Sequence, residues 1–279
     1  MLTTSITHFL SEHGIRFRID KIDDHDVIYT DQGTPIFPIS ICAQSPEEAT
    51  SVAAVFQHVI DKIRDQKAGY PLIITEDRWK YQGDMIRRRL LAHLQVFVQI
   101  YARNCEVRKI DRATAAEFLD ANHSYGDASC RYRYGLFLRR YSGHTSNIIQ
   151  DRPQPGDLVA VATFSNGRKW IKGDKTIRSY EWTRYASLPD VRLSGGMGRL
   201  LKAFIEDVKP DDIMTYADLE WSQGDVYETL GFELEGRKGP VMFSVDCHTW
   251  QRTARIESGY RFFRNFGSNK YRLKLTDYQ

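Results

Sequence analysis

The chain has 279 residues, of which 42% are hydrophobic and 12% aromatic. That is enough to bury a core, and it excludes a disordered polymer. A formal net charge of only +3 excludes a strongly basic nucleic-acid wrapper, although Arg87, Arg88 and Arg89, or the later run of Arg261, Arg264, Lys270, Arg272 and Lys274, would make a local basic patch. Cysteines at 42, 105, 130 and 247 show neither zinc-ribbon nor disulfide spacing and suit a reducing cytoplasm. The first residues have no basic leader and no long apolar stretch, so no signal peptide is expected. No segment approaches the roughly 18 apolar residues of a membrane span.

In chain order, a short helix is expected at 4–13 and strands at 16–22, 27–29 and 36–42. Ser45 then offers an N-cap, Pro46 a first helical residue, and Glu47 and Glu48 a first-turn pair of acids. The helix they open runs to about 66 on the apolar face of Val52, Val55, Phe56, Val59, Ile60 and Ile63. A buried strand at 71–75 and a basic helix at 81–94 complete a β-β-α-β-α layer. Texture changes near residue 100. A strand at 106–110 and a helix opened by Asp111 lead to strands at 132–139, 158–164 and 178–185, with a polar loop at 142–155. A helix at 196–208, a strand at 213–216, a short helix at 225–230 and further strands follow. The expected fold is α/β (α+β) in two domains, 1–100 and 101–279.

The chemistry concentrates at Arg192-Leu193-Ser194-Gly195-Gly196-Met197-Gly198-Arg199-Leu200-Leu201. Glycines between a strand and a helix let backbone N–H groups approach an anion that the helix N-terminus favours. The spacing is not G-x-G-x-x-G after a first strand, and no Gly-Lys-Ser/Thr is present, so neither a dinucleotide fold nor a P-loop fits.

Residues 192–201 resemble the R/Q-x-x-G-x-G/A-x-x-L-L coenzyme A turn of the GNAT acyltransferase superfamily, with Met197 where the superfamily prefers Gly or Ala. Residues 225–232, Asp-Val-Tyr-Glu-Thr-Leu-Gly-Phe, resemble its closing aliphatic-Tyr-x-x-x-Gly-Phe motif. The resemblance implies a GNAT-like mixed sheet with flanking helices and acetyl-CoA or another acyl-CoA as cofactor. It implies cofactor contacts from Arg192, Ser194, Gly195, Gly196, Gly198 and Arg199, and Tyr227 as the acid that protonates the leaving thiolate. Glu181 and Asp218 are the candidate bases, Asp218 because it closes an apolar strand. His123, in the loop after the second-half helix, is a further catalytic candidate.

The strings 100–107, 118–123, 181–185 and 216–222 resemble a phage and bacterial group in which a nuclease-like domain precedes a GNAT-like half related to Mom-type DNA-modifying enzymes. Residues 73–79 and the following basic helix resemble the end of a PD-(D/E)xK nuclease core. The strand at 35–41 has no Glu and no Lys, so a small, inactive nuclease-like domain with no metal is expected. Trp79, Arg87, Arg88 and Arg89 would then hold DNA or RNA. Two functions follow from these readings. One is acyl transfer from coenzyme A to an amine, with a nucleobase or another nucleic-acid group as the acceptor considered; the other is a non-catalytic nucleic-acid-binding protein built from two degenerate domains. A metal-using modification enzyme recruiting His123, Asp218 or Glu220 is a third, without ligand spacing that demands it.

Overall fold

The computed structural model describes residues 1–66, 69–143, 145–146 and 152–277. They form two compact units, each discontinuous in sequence: 1–87 with 217–224 and 237–269, and 88–216 with 225–236 and 270–279. A single boundary near residue 100 does not describe this, because the chain returns twice to the first unit.

In the first unit, α1 (Leu2–Glu12) buries Leu2, Ile6, Phe9 and Leu10, spaced for one helical face. The strands β1 (Phe17–Ile22), β2 (His25–Thr30), β3 (Ile36–Ile39) and β4 (Leu72–Thr75) form a sheet in that order. β1, β2 and β3 pair antiparallel, and β4 runs parallel to β3. The crossover between β3 and β4 is α2 (Pro46–Asp65). Its start is fixed as the sequence requires: the Ser45 hydroxyl accepts from Glu48 N–H, and the Glu48 carboxylate accepts from Gln44 N–H at 2.7 Å. Phe56, Val59, Ile60 and Ile63 pack with Phe37, Ile39 and Ile73 in the core. The expected helix at 81–94 is α4 (Gly83–His93), and a short α3 (Glu76–Tyr81) that was not expected precedes it, with Gln82 between them. Residues 237–269 add a small sheet of β14 (Met242–Val245), β15 (Arg252–Thr253) and β16 (Arg261–Arg264), and Val245, Phe263 and Phe266 join the same core.

The second unit holds a mixed sheet flanked by helices, the α/β architecture expected. Its strands are β6 (Cys105–Lys109), β7 (Tyr132–Leu138), β8 (Leu158–Phe164), β10 (Lys175–Ser187), β12 (Asp212–Asp218), β13 (Glu233–Lys238) and β17 (Ser268–Lys274). Their order is β13-β17-β12-β10-β8-β7-β6, with β9 (Arg168–Lys172) paired to β10. β12, β13 and β17 each have two residues in the first unit. A separate parallel pair joins β5 (Val98–Tyr101) to β11 (Val191–Ser194). Part of the expected loop at 142–155, residues 144 and 147–151, lies outside the described residues.

Helices cover the sheet on both faces. α6 (Gly196–Val208) brings Phe204 flat onto Phe164, with centroids 3.8 Å apart and planes 2° from parallel. Tyr180, Tyr134 and Tyr132 meet the same ring edge-on. α5 (Arg112–Asn122), capped by Asp111, packs Ala115, Phe118 and Leu119 on Val161 and Ala186. α7 (Asp225–Thr229) closes the set. Among the described residues no helix is long and apolar enough to cross a membrane.

Candidate active site

The site in the second unit begins where β10 and β12 part. They pair in parallel through Ser179↔Asp212, Tyr180↔Ile213 and Glu181↔Met214, and no further pair follows among the described residues. Past that point the Thr215 hydroxyl donates to the Trp182 carbonyl at 3.0 Å, a side chain standing in for a ladder bond. β10 also changes register against β8 between Trp182 and Arg184. At this irregularity Arg184 Nε donates to the Gly126 carbonyl at 3.0 Å. The result is a gap in the β10–β12 ladder, where side chains rather than strand partners take the Trp182, Thr183 and Arg184 carbonyls.

The glycine turn ends beside this gap. Gly195 caps α6 with φ 77°, a left-handed conformation that a side chain would strain. A Cβ on Gly196 would lie 2.5 Å from Leu193 Cδ2 and 3.2 Å from the Tyr185 hydroxyl. A Cβ on Gly198 would come within 3.2 Å of Leu230. The first two glycines therefore keep the helix N-terminus bare, and the third lets α6 lie close to the end of α7. The β5–β11 pair braces the turn from behind, since Gln99 Nε2 donates to the Arg192 carbonyl at 2.9 Å and to Ser194 Oγ at 3.0 Å. Arg192 stacks over Phe97, 5.2 Å from its ring centre, and donates to Gln95. Met197 is half-buried and Arg199 is exposed; among the described residues Arg199 has no ion-pair partner.

Tyr227 projects from α7 into a cluster with Trp182, Phe232 and Tyr271, at ring separations of 6.1, 5.7 and 5.6 Å. Burial pushes its phenol above the ordinary value, partly opposed by the Thr215 hydroxyl, so it stays protonated at neutral pH. Tyr185 is raised too, by burial first and then by Tyr227 and Cys105. Glu181 faces the other way. Alternation along β10 puts Tyr180 and Trp182 on the α6 face, and Ser179 and Glu181 on the opposite face. There Glu181 lines a cavity of about 380 Å³ with Ser179, Asp212 and Met214. Its carboxylate has no hydrogen-bond or ion-pair partner among the described residues.

The other sequence candidates fall elsewhere. Asp218 is grouped with the first unit, where its carboxylate receives Arg78 Nη2 at 3.4 Å and Glu220 N–H at 3.0 Å. His123 ends α5 and accepts the Tyr125 N–H on Nδ1 at 3.1 Å, a local turn bond. Trp79 is only 2% exposed and donates to Ser5 Oγ, so it has no ring face to offer a base. Arg87 covers that ring from 4.4 Å, Arg88 pairs with Asp190 at 2.8 Å, and Arg89 is half-buried. Tyr185 and Thr215 are the residues at the gap that motif spacing did not single out; Thr215 alternates with Ile213 on β12, whereas Tyr185, three residues from Trp182, meets that ring only because β10 shifts register between them.

No family model matches the chain, and no curated protein matches it. Several solved structures are similar to part of it. One is a chain of the NatC complex bound to Gag peptide and CoA, at 13% identity and TM-score 0.36, covering 62% of this chain and 99% of that one. A Bacillus subtilis acetyltransferase in complex with CoA gives 12% and 0.36, covering 62% and 99%. The structure of yncA from Salmonella typhimurium with its cofactor acetyl-CoA gives 12% and 0.35, covering 63% and 96%.

Proposed function

We propose that the second unit is an acyl-coenzyme A-dependent N-acyltransferase working at the gap between β10 and β12. The observation that carries the reading is that one gap has an unpaired carboxylate, Glu181, on one face and a protonated phenol, Tyr227, on the α6 face. The bare N-terminus of α6 lies beside it and suits a pyrophosphate. An extended thioester arm would lie between the strands past their last pair, Glu181↔Met214.

The step is direct transfer. The amine nitrogen attacks the thioester carbonyl carbon, the C–N bond forms, and the C–S bond breaks as the tetrahedral intermediate collapses. A strand N–H at the Trp182–Arg184 bulge takes the oxyanion. Of the two protons an ammonium gives up, one leaves to water through Glu181. The other is matched by the proton Tyr227 gives to the thiolate. The products are an amide and the free thiol.

A nucleic-acid acceptor draws no support from the basic stretch, since Trp79 is buried and Arg88 is paired. We read the first unit as nuclease-derived and non-cleaving, on its sequence resemblance and on a β3 of Ile36, Phe37, Pro38 and Ile39 that carries no carboxylate.

The test is calorimetric titration of the full chain with acetyl-CoA, beside an Arg192→Ala, Gly196→Asp variant. The expected outcome is micromolar binding that the variant loses while still unfolding in one cooperative transition, at a midpoint lowered by the contact of a Cβ at 196 with Leu193. Absence of binding at millimolar acetyl-CoA would reject the reading.

A further inference from the structure

The cavity beneath Glu181 distributes its charges unevenly, and that asymmetry indicates what it admits. Asp212 and Glu235 are both committed to Arg272, at 2.8 Å in each case, and Glu235 also takes Lys270 at 2.7 Å. Those two cations bring the Glu235 carboxyl down to about 2, so it remains charged and occupied at any ordinary pH. Glu181 is the carboxylate lining the cavity that this network does not use.

Arg168 is its counterpart. It stands opposite Ser179 in the β9–β10 ladder, so it shares a face with Glu181 as that residue's diagonal neighbour. Diagonal Cβ atoms lie roughly 7–8 Å apart, yet the two side chains form no ion pair, and Arg168 is exposed with no partner among the described residues. Trp170, two residues along on the same face, is 53% exposed and lines the cavity too. A carboxylate, a guanidinium and an aromatic wall, with about 380 Å³ among them, make a small-molecule pocket.

We propose that this cavity selects the acceptor, a small primary amine carrying a carboxylate or phosphate a few bonds from its nitrogen. The ammonium docks on Glu181, the anion on Arg168, and the carbons between them lie against Trp170. A diamine has no second unspent carboxylate to meet. An uncharged amine leaves Arg168 unanswered. The proposal rests on the acyl-transfer reading for its placement beside the thioester, while the charge selection stands on the cavity alone.

The experiment measures thiol release from acetyl-CoA by the full chain with β-alanine, γ-aminobutyrate, phosphoethanolamine, propylamine, putrescine and a single-stranded oligonucleotide. In parallel, calorimetry measures binding of the same amines without cofactor. The expected result is a kcat/KM at least about tenfold higher for the anionic amines than for propylamine, the scale of one charge-assisted hydrogen bond. Comparing β-alanine and γ-aminobutyrate with phosphoethanolamine separates carboxylate from phosphate. Arg168→Ala should remove that preference through KM, and Arg168→Lys should restore part of it. Anionic-amine binding that is lost in Arg168→Ala, without any acetyl-CoA binding, would uphold the pocket and reject the transfer reading. Equal use of propylamine, preference for putrescine, transfer to the oligonucleotide alone, or no amine binding would each overturn the proposal.

Discussion

Two clusters of charge, one in each unit, are built from the same residue types and reach opposite ends. In the first unit Arg252 donates to Asp77, to Glu220 at 2.9 Å and to Thr75 at 2.8 Å, while Arg78 lies 2.9 Å from Glu220 and 3.4 Å from Asp218. Glu220 is fully buried, and every carboxylate there meets a guanidinium. Burial alone would raise the Asp77 carboxyl, but the Arg252 charge and hydrogen bonds outweigh it and hold it low. In the second unit Asp212 and Glu235 are likewise matched by Arg272, but Glu181 and Arg168 stay unmatched across an open cavity. A charge cluster whose members satisfy one another is structure. The one that leaves a complementary pair unsatisfied is where we place a ligand.

Substitutions sharpen the contrast. Arg252→Ala leaves buried Asp77 without its paired guanidinium and Glu220 with Arg78 alone, so urea unfolding should show a loss of about 3–5 kcal/mol. A loss below 1 kcal/mol would mean the network is not a stabilising unit. Glu181→Gln should do the reverse, lowering kcat about a hundredfold or more while changing unfolding free energy by less than about 0.5 kcal/mol. Tyr227→Phe should lower kcat on a similar scale, since the thiolate loses its proton donor. Gly196→Ala, whose methyl meets Leu193 and the Tyr185 hydroxyl, should cost about 1–3 kcal/mol and weaken acetyl-CoA binding.

The smallest effect concerns pH. Glu235 titrates near 2 in the fold against an ordinary 4.5. Its folded value is depressed, so its contribution is present above about 4.5 and is lost as pH falls toward 2. Glu235→Gln should flatten that part of the acid-unfolding curve only slightly, because the group is 38% exposed and solvent screens it.

Features that depend on a few neighbouring residues were legible in the sequence. Ser45 and Pro46 open α2, Asp111 opens α5, and the glycines of 195–198 form the turn before α6. Features that depend on distant partners were not. β5 reads as an ordinary apolar stretch until β11, some ninety residues later, pairs with it. β9 buries no continuous face, and Ile171 is 83% exposed, so its strand and its cavity residues Arg168 and Trp170 left no periodic signal. Asp218 looked catalytic because it ends an apolar strand. Only the approach of Arg78, 140 residues earlier, shows that its charge is already used.

The most direct measurement of the central claim is steady-state thiol release from acetyl-CoA with β-alanine, run on the wild type, Glu181→Gln and Tyr227→Phe at equal folded concentration. The account predicts saturable release by the wild type and at least about a hundredfold lower kcat in each variant, with acetyl-CoA affinity unchanged in Glu181→Gln. Wild-type rates in both variants would contradict it.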